Sequence, residues 1–167
     1  MGEKNPIIKS ILITSIFTIV VVGLVPLGLL HLYPVGFFGS GILRYTGIIA
    51  FVIGAVISLA CVKDFLFKGR GTPAPFDPPK TLVVEGLYRY VRNPMYLGLF
   101  LVILAEALFF SSVPIFAYLL VLIGFCNIFV RLYEEPKLVQ KFGRSYEEYC
   151  TRVNRWIPKF GNRMKLN

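Results

Sequence analysis

Charged residues are rare in this sequence, and three long stretches contain almost none. Only 16% of the 167 residues are charged, whereas about a quarter is usual for a soluble domain. Lys, Arg, Asp and Glu are missing from 11–43 and from 45–62, and Glu106 is the only one within 93–130. Runs of roughly 18 or more apolar residues are long enough for a helix to cross a bilayer. A soluble core would explain one such run but not three, so the sequence predicts an integral membrane protein.

Histidine and cysteine are also scarce, which argues against a metal centre and against a disulfide framework. His31 is the only histidine, and a zinc site normally needs several His or Cys ligands. Cys61, Cys126 and Cys150 form no CxxC or Cys/His cluster. We therefore expect no metal and no disulfide-stapled fold.

The net charge of +9 is divided among separate clusters. One lies near the N-terminus, one within 63–92, and one in a tail within 131–165. A nucleic-acid-binding protein would instead gather these cations on one face, so no nucleic acid partner is expected. Under the positive-inside rule all three clusters face the cytoplasm, where they also attract anionic lipid headgroups. This predicts a multi-pass protein with both termini cytoplasmic.

The predicted fold is a single all-α membrane domain with about four spans, at 7–30, 42–67, 95–110 and 114–133. The uncharged run of 93–130 would be about 57 Å long as one helix, at ~1.5 Å per residue, which far exceeds a bilayer of ~30 Å. Ser-Ser-Val-Pro at 111–114 provides a turn and predicts a tight helical hairpin. Residues 68–80 contain four prolines and form a cytoplasmic loop.

The polar tail of 134–167 has apolar side chains at helical spacing between Leu138 and Tyr149. This pattern predicts an amphipathic helix broken near Gly143, which lies on the membrane surface or packs beneath the spans. Trp156 is interpreted as an interfacial anchor. Glu106 either snorkels to the outer interface, the interpretation we favour, or marks a substrate path.

Two polar segments, 80–96 and 131–138, lie at the same end of the predicted hairpin and should be close in space. Arg131 and Glu135 are four residues apart and are expected to share a helix face. Asn93, just before Pro94, is expected to be the N-cap of the third span. The simpler interpretation of these segments is structural: the cations anchor the protein at the headgroups and the tyrosines form an aromatic belt.

Three motifs in order distinguish between these interpretations. They are Gly-Leu-Tyr-Arg-Tyr-Val-Arg-Asn-Pro-Met-Tyr at 86–96, Glu-Glu-Pro-Lys-Leu at 134–138 and Phe-Gly-Arg-Ser-Tyr-Glu-Glu-Tyr at 142–149. Together they resemble the isoprenylcysteine carboxyl methyltransferase and phospholipid methyltransferase superfamily, over roughly 69–158. The resemblance implies an integral membrane enzyme that uses S-adenosylmethionine and methylates a lipid or lipidated substrate.

The resemblance also implies roles for individual residues. By position, the cofactor-binding set is Lys80, Thr81, Leu82, Val83, Tyr88, Asn93, Pro94, Met95, Tyr96 and Glu134 or Glu135. Arg131 matches the arginine on the substrate side, and the adjacent glutamates leave their register open by one residue. Asn93 stands where many members have histidine, and asparagine forms hydrogen bonds but does not titrate near neutral pH.

Methyl transfer does not require a histidine base when the acceptor is a carboxylate, since the carboxylate is already a nucleophile. An amine acceptor would have to lose a proton, for which Glu134 and Glu135 are the nearest candidates. The catalytic residues expected from the sequence are therefore Arg131, Glu135 and Asn93. An isoprenylcysteine-type carboxylate, a phospholipid-type amine and a small lipophilic thiol or acid all remain open as acceptors. The alternative functions are an NADPH-dependent membrane reductase of the sterol type and a non-enzymatic scaffold.

Overall fold

The structure is a computed structural model that describes residues 12, 15–33, 41–67 and 81–159. The first part of the first predicted span, the proline-rich loop of 68–80 and the end of the tail lie outside the described residues. Lys80, one of the predicted cofactor-binding residues, lies outside them as well.

Helices make up nearly all regular structure in the described part. Ser15–Leu32 contains a π-helical turn, Ile19–Leu24, followed by α1, Val25–Leu32. The remaining α-helices are α2 (Gly41–Phe67), α3 (Pro94–Phe109), α4 (Val113–Phe129), α5 (Glu135–Phe142) and α6 (Arg144–Arg152). A 3₁₀ turn, Gly86–Arg89, precedes α3, and a second π-helical turn, Val130–Glu134, joins α4 to α5.

Three helices are long and apolar enough to cross a membrane, namely Ser15–Leu32, Gly41–Asp64 and Val113–Phe142. They support the predicted multi-pass membrane protein. The third predicted span corresponds to α3, whose 16 residues cover only about 24 Å at ~1.5 Å per residue. That length is short of a ~30 Å hydrocarbon core, so the four-span arrangement stays a prediction.

Small residues bring α2 and α3 into close contact. A Cβ atom on Gly54 would lie 2.8 Å from the carbonyl oxygen of Gly98, and one on Gly98 would lie 2.5 Å from Ser58 Oγ. Such small-residue contacts let membrane helices approach closely without a hydrophobic driving force between them. This packing holds the start of α3 against the end of α2, where the predicted site begins.

The turn between α3 and α4 lies where the Ser-Ser-Val-Pro motif predicted it. Ser111 has a positive φ of 51°, and Ser112 is the N-cap of α4, where its side chain accepts a hydrogen bond from Ile115 N at 3.4 Å. Pro114 stands in the first turn, where its missing N–H costs no hydrogen bond. The helices therefore run antiparallel, and the last turn of α4 returns to the first turn of α3.

Both π-helical turns begin shortly before a proline, Pro26 and Pro136. In each, the backbone N–H bonds five residues back: Val25 to Val20 O and Glu135 to Val130 O. In each turn, the carbonyl group of the residue after this acceptor faces the proline. The proline has no N–H, so it cannot donate a hydrogen bond to that carbonyl group. At the first turn Tyr118 Oη supplies the missing donor and bonds Val21 O at 3.1 Å.

The helix that contains the predicted fourth span, 114–133, extends beyond it. It continues without a break from Val113 to Phe142, so the start of the predicted tail at 134 is helical, and the bounds of the span itself stay a prediction. Pro136 does not end the helix, because the wider turn accommodates the proline within it. Glu134 and Glu135 are consequently carried on the helix itself.

The predicted break at Gly143 is present, with a positive φ of 54° that favours glycine. Beyond it, α6 buries Tyr146 and Tyr149, which cluster with Leu82 and Val84 from the segment before α3. α6 thus packs against the segment before α3, and the two locations predicted for the amphipathic helix both stay open.

Candidate functional site

The site is built around the first turn of α3. Pro94 is the first residue of that helix and is buried. Asn93 occupies the N-cap position as predicted, but its side chain makes no capping hydrogen bond. Its Nδ2 instead donates to the carbonyl oxygen of Arg155 at 3.3 Å. Asn93 therefore connects the start of α3 to the C-terminal segment.

The stretch before α3 separates two apolar clusters. Val83 is buried with Cys61 of α2, whereas Leu82 packs on the tyrosines of α6. Thr81 is exposed. These three predicted cofactor-binding residues lie in an extended segment that leads to the site, held on both sides by apolar contacts.

Tyr88 is buried at 7% exposure and packs against Cys61 and Met95. Its carbonyl oxygen accepts a hydrogen bond of 2.6 Å from Tyr149 Oη on α6. Burial, followed by the neighbouring Cys61, holds the pKa of the Tyr88 hydroxyl well above its ordinary value. Burial likewise raises the pKa of Tyr149. Both phenols are therefore neutral hydrogen-bonding groups at physiological pH.

Tyr96 and Glu134 connect the start of α3 to the end of α4. Tyr96 Oη donates to Glu134 Oε2 at 3.0 Å, and both side chains are half-buried. No cation of the described part forms an ion pair with Glu134. Its carboxylate therefore keeps most of its capacity to accept hydrogen bonds or to face a positive charge.

Glu135 has a different environment, since two guanidinium groups neutralise it. Arg155 donates two hydrogen bonds to it, from Nε to Oε1 at 2.8 Å and from Nη2 to Oε2 at 2.6 Å. Arg92 Nη1 lies 3.0 Å from Oε1 of the same carboxylate. The hydrogen bonds with Glu135 raise the pKa of Arg155 above its ordinary value. The two adjacent glutamates thus have separate roles in the structure.

Arg131 is not one of the partners of Glu135, although the two were expected to share a helix face. Its side chain is exposed, and it forms no ion pair within the described part of the chain. Arg131 lies within the π-helical turn that precedes Glu135, and this wider turn changes their relative direction from that of an ordinary α-helix. The structure therefore places Arg131 at the outside of the site and Glu135 within it.

No residue of 153–159 was among the predicted site residues, although this segment lies against the start of α3. Backbone hydrogen bonds join Arg92 N to Asn154 O and Lys159 N to Tyr90 O, each at 2.9 Å. Arg155 adds its bidentate pair with Glu135. In the sequence Arg155 is one cation in a basic tail, and no spacing connects it to a glutamate twenty residues earlier.

Trp156, interpreted from the sequence as an interfacial anchor, packs on side chains of α3 and α4. Its ring lies 6.2 Å from that of Tyr96 and 6.0 Å from that of Phe100, measured between centroids. Its indole N–H donates to Asn127 Oδ1 on α4 at 3.0 Å. The indole therefore fixes the C-terminal segment between α3 and α4, next to Tyr96.

One buried donor of the site has no acceptor among the described residues, the Nε atom of Arg92. Because an unsatisfied buried donor is costly, it is suited to bind a carboxylate or carbonyl oxygen of a ligand. Glu134, in contrast, is suited to a cationic group. Within the same part of the chain, no three His, Cys, Asp or Glu side chains come together as metal ligands.

Comparisons with known proteins agree with the motifs. A profile described as phospholipid methyltransferase matches residues 42–145. A probable protein-S-isoprenylcysteine O-methyltransferase of Oryza sativa subsp. indica is 31% identical over 116 residues, which cover 68% of this chain and 60% of the rice protein. The match thus spans less than two thirds of that relative. No solved structure matches the chain.

Two further relatives differ in the acceptor that their names give. The protein-S-isoprenylcysteine O-methyltransferase of Schizosaccharomyces pombe is 38% identical over 78 residues, covering 46% of this chain and 33% of the yeast protein. Methanethiol S-methyltransferase 1 of Bradyrhizobium diazoefficiens is 31% identical over 97 residues, covering 58% and 31%. The profile covers more than half of the chain, including α2, α3, α4 and the glutamate pair, and on that match the chain belongs to the phospholipid methyltransferase family.

Proposed function

We propose that this protein transfers a methyl group from S-adenosylmethionine to a lipophilic acceptor at the cytoplasmic membrane interface. The observation that carries the proposal is the contact between the start of α3 and the glutamate pair, in which Tyr96 bonds Glu134 and Arg92 pairs with Glu135. Arg92 and Tyr96 belong to the first motif, and the glutamates belong to the second motif, where the second π-helical turn of a long apolar helix ends. Charged and hydrogen-bonding groups are thereby held beside helices that suit a lipid environment.

The residues present fit the cofactor. S-adenosylmethionine carries an ammonium, a carboxylate and a sulfonium, and the site offers both complementary kinds of group. The unpartnered Nε of Arg92 suits the carboxylate, and Glu134 suits a positive charge. When bound, the cofactor would supply an activated methyl group with a good leaving group behind it.

The same geometry distinguishes the two glutamates. Glu135 is engaged by Arg92 and Arg155, so its role is to position the C-terminal segment over the site. Glu134 is held only by Tyr96 and is available to a ligand. Glu134 is therefore the residue that would accept a proton if the acceptor were an amine or a thiol.

Arg131 is proposed to orient an anionic acceptor. Its exposed guanidinium stands next to Leu132, which is 75% exposed and suits contact with lipid. An acceptor with an apolar chain and a carboxylate could lie on this face with its anion at Arg131. Asn93 fits the same scheme, because an ionised carboxylate needs no base and the amide can hold the C-terminal segment instead.

The test is calorimetry with S-adenosylhomocysteine on the detergent-purified protein, followed by methyl transfer to a prenylated cysteine. Glu134→Gln should weaken binding about tenfold or more, as expected for loss of a charged hydrogen bond. Arg131→Ala should leave that affinity unchanged and lower kcat/KM for the anionic acceptor. Glu148→Gln, an exposed residue of α6, is the matched control.

Three outcomes would contradict the proposal. Binding of NADPH without S-adenosylhomocysteine would indicate a reductase, and binding of neither would indicate a scaffold. Normal S-adenosylhomocysteine affinity in both Glu134→Gln and Tyr96→Phe would show that the cofactor lies elsewhere.

A further inference from the structure

Asn127 is the only amide side chain in α4, a helix whose other residues are almost all apolar. It lies seven residues before Glu134, which is about 10 Å along the helix at ~1.5 Å per residue. An amide in such surroundings is costly unless a hydrogen bond satisfies it. Asn127 Oδ1 accepts one from the indole N–H of Trp156 at 3.0 Å. This bond fixes the position of the indole between α3 and α4.

The indole of Trp156 packs on two aromatic rings of α3. It meets Tyr96 edge to face, with ring centroids 6.2 Å apart and an interplanar angle of 72°. Phe100 lies against both rings, with its centroid 6.0 Å from that of Trp156 and 6.5 Å from that of Tyr96. Edge-to-face packing is a preferred aromatic geometry with a defined orientation. The position of the indole therefore restricts the tilt of the Tyr96 ring.

Tyr96 in turn holds the carboxylate of Glu134. Its Oη donates to Glu134 Oε2 at 3.0 Å. The direction of a phenol hydroxyl follows that of its ring, so a displaced Tyr96 ring would lengthen or break this hydrogen bond. Groups that bind a ligand need neighbours that keep them close to the productive geometry. Three successive contacts thus lead from Asn127 to Glu134.

We propose that Asn127 and Trp156 are positioning residues for the carboxylate of Glu134, and that they act through the Tyr96 ring. This inference rests on the function proposed above, in which Glu134 faces a positive charge of S-adenosylmethionine. Loss of the bond between amide and indole lets the indole turn, and the Tyr96 hydroxyl then moves away from Glu134. The affinity for the cofactor falls, although Glu134 and Tyr96 are both still present.

The test is calorimetry with S-adenosylhomocysteine on the detergent-purified full chain, with the melting temperature without ligand measured by far-UV circular dichroism. Asn127→Leu keeps a side chain of similar size and removes the acceptor. It should weaken binding about three- to tenfold, as expected for the loss of one hydrogen bond. Trp156→Phe removes the indole N–H and should have a similar effect.

Double variants distinguish positioning from a general loss of packing. In Asn127→Leu/Trp156→Phe neither hydrogen-bonding group is left without its partner, so the affinity should be no lower than in the weaker-binding single variant. In a Tyr96→Phe background, Asn127→Leu should weaken binding by less than about twofold more, because the route to Glu134 is already broken.

Tyr118→Phe is the matched control, since it removes another side-chain hydrogen bond of α4, the one to Val21 O. Position 118 is about 24 Å from Glu134 along the helix at ~1.5 Å per residue. This variant should lower the melting temperature and leave the affinity for S-adenosylhomocysteine unchanged.

The possible outcomes separate this inference from the proposed function. Unchanged affinity in Asn127→Leu, with only a shifted melting temperature, would overturn the inference and give the amide a purely structural role. An equal loss with and without the Tyr96 hydroxyl would also overturn it. A wild type that binds no S-adenosylhomocysteine would contradict the proposed function and this inference together. If Asn127→Leu does not fold, Trp156→Phe supports the same comparisons, because it leaves α4 unchanged.

Discussion

The ion-pair cluster of Glu135 with Arg92 and Arg155 makes a quantitative prediction about the C-terminal segment. All three side chains are largely buried, with exposures of 16%, 11% and 21%. In Glu135→Gln the two guanidiniums remain close together and lose the charge that neutralises them. Removing one member of a buried ion pair usually costs about 3–5 kcal/mol. We expect the docking of the C-terminal segment to lose a similar amount.

Trp156 makes this loss directly measurable, because it is the only tryptophan in the chain and follows Arg155. The assay is a urea titration of the protein in mild detergent, observed by Trp156 emission and by far-UV circular dichroism. In Glu135→Gln the emission should shift to longer wavelength at urea concentrations where the helical signal is unchanged. Linear extrapolation of the emission transition then gives the free energy of undocking.

Two variants serve as controls for the same titration. Arg155→Lys keeps the charge but cannot form two parallel hydrogen bonds, so it should cost only about 1–1.5 kcal/mol. Glu148→Gln removes a carboxylate that pairs with Arg144 on the exposed surface of α6, and should cost less than about 0.5 kcal/mol. A loss below about 1 kcal/mol in Glu135→Gln, or coincident transitions for both probes, would refute the reasoning.

Two further substitutions test how the backbone is supported. Gly86→Ala should lower the thermal stability more than Gly143→Ala. Both glycines have positive φ, but of the two only position 86 would bring a Cβ atom against another residue, the carboxylate of Asp64. Equal melting temperatures would show that this contact is relieved at no cost. Tyr118→Phe should cost about 0.6–1.7 kcal/mol, because it leaves Val21 O without its donor. That cost should be smaller in a Pro26→Ala background, because alanine restores the N–H at position 26. The same cost with and without Pro26 would contradict the assignment of Tyr118 as the replacement donor.

Much of the architecture follows from one-dimensional patterns. The uncharged runs predicted the apolar helices, and the predicted span 42–67 closely matches α2. A long apolar run can be identified from the sequence without knowledge of tertiary contacts. The turn before Pro114 and the break at Gly143 were also predictable, since proline and serine favour helix starts and glycine adopts positive φ. The motifs likewise predicted the family, which the profile match confirms.

The local sequence around Pro136 did not predict that the helix continues through it. The polar residues from 134 onward suggested that the span had ended, but the helix continues past them and accommodates Pro136 through a π-helical turn. Whether a proline ends a helix or widens one turn depends on what the following residues contact. Here Leu138 and Phe142 pack against the tyrosines of α6, and those contacts favour continuing the helix.

The roles of the two glutamates were decided only by tertiary structure. In the sequence Glu134 and Glu135 are adjacent and their register was left open by one residue, and Arg131 was expected to share a helix face with Glu135. In the fold, Tyr96 reaches one carboxylate and Arg155 reaches the other. Hydropathy and turn chemistry are properties of short stretches, so the sequence alone specifies the helices and the end of the bundle where the polar motifs gather. The pairing of charged side chains depends on contacts between residues far apart in the chain. These contacts form only when the helices pack together.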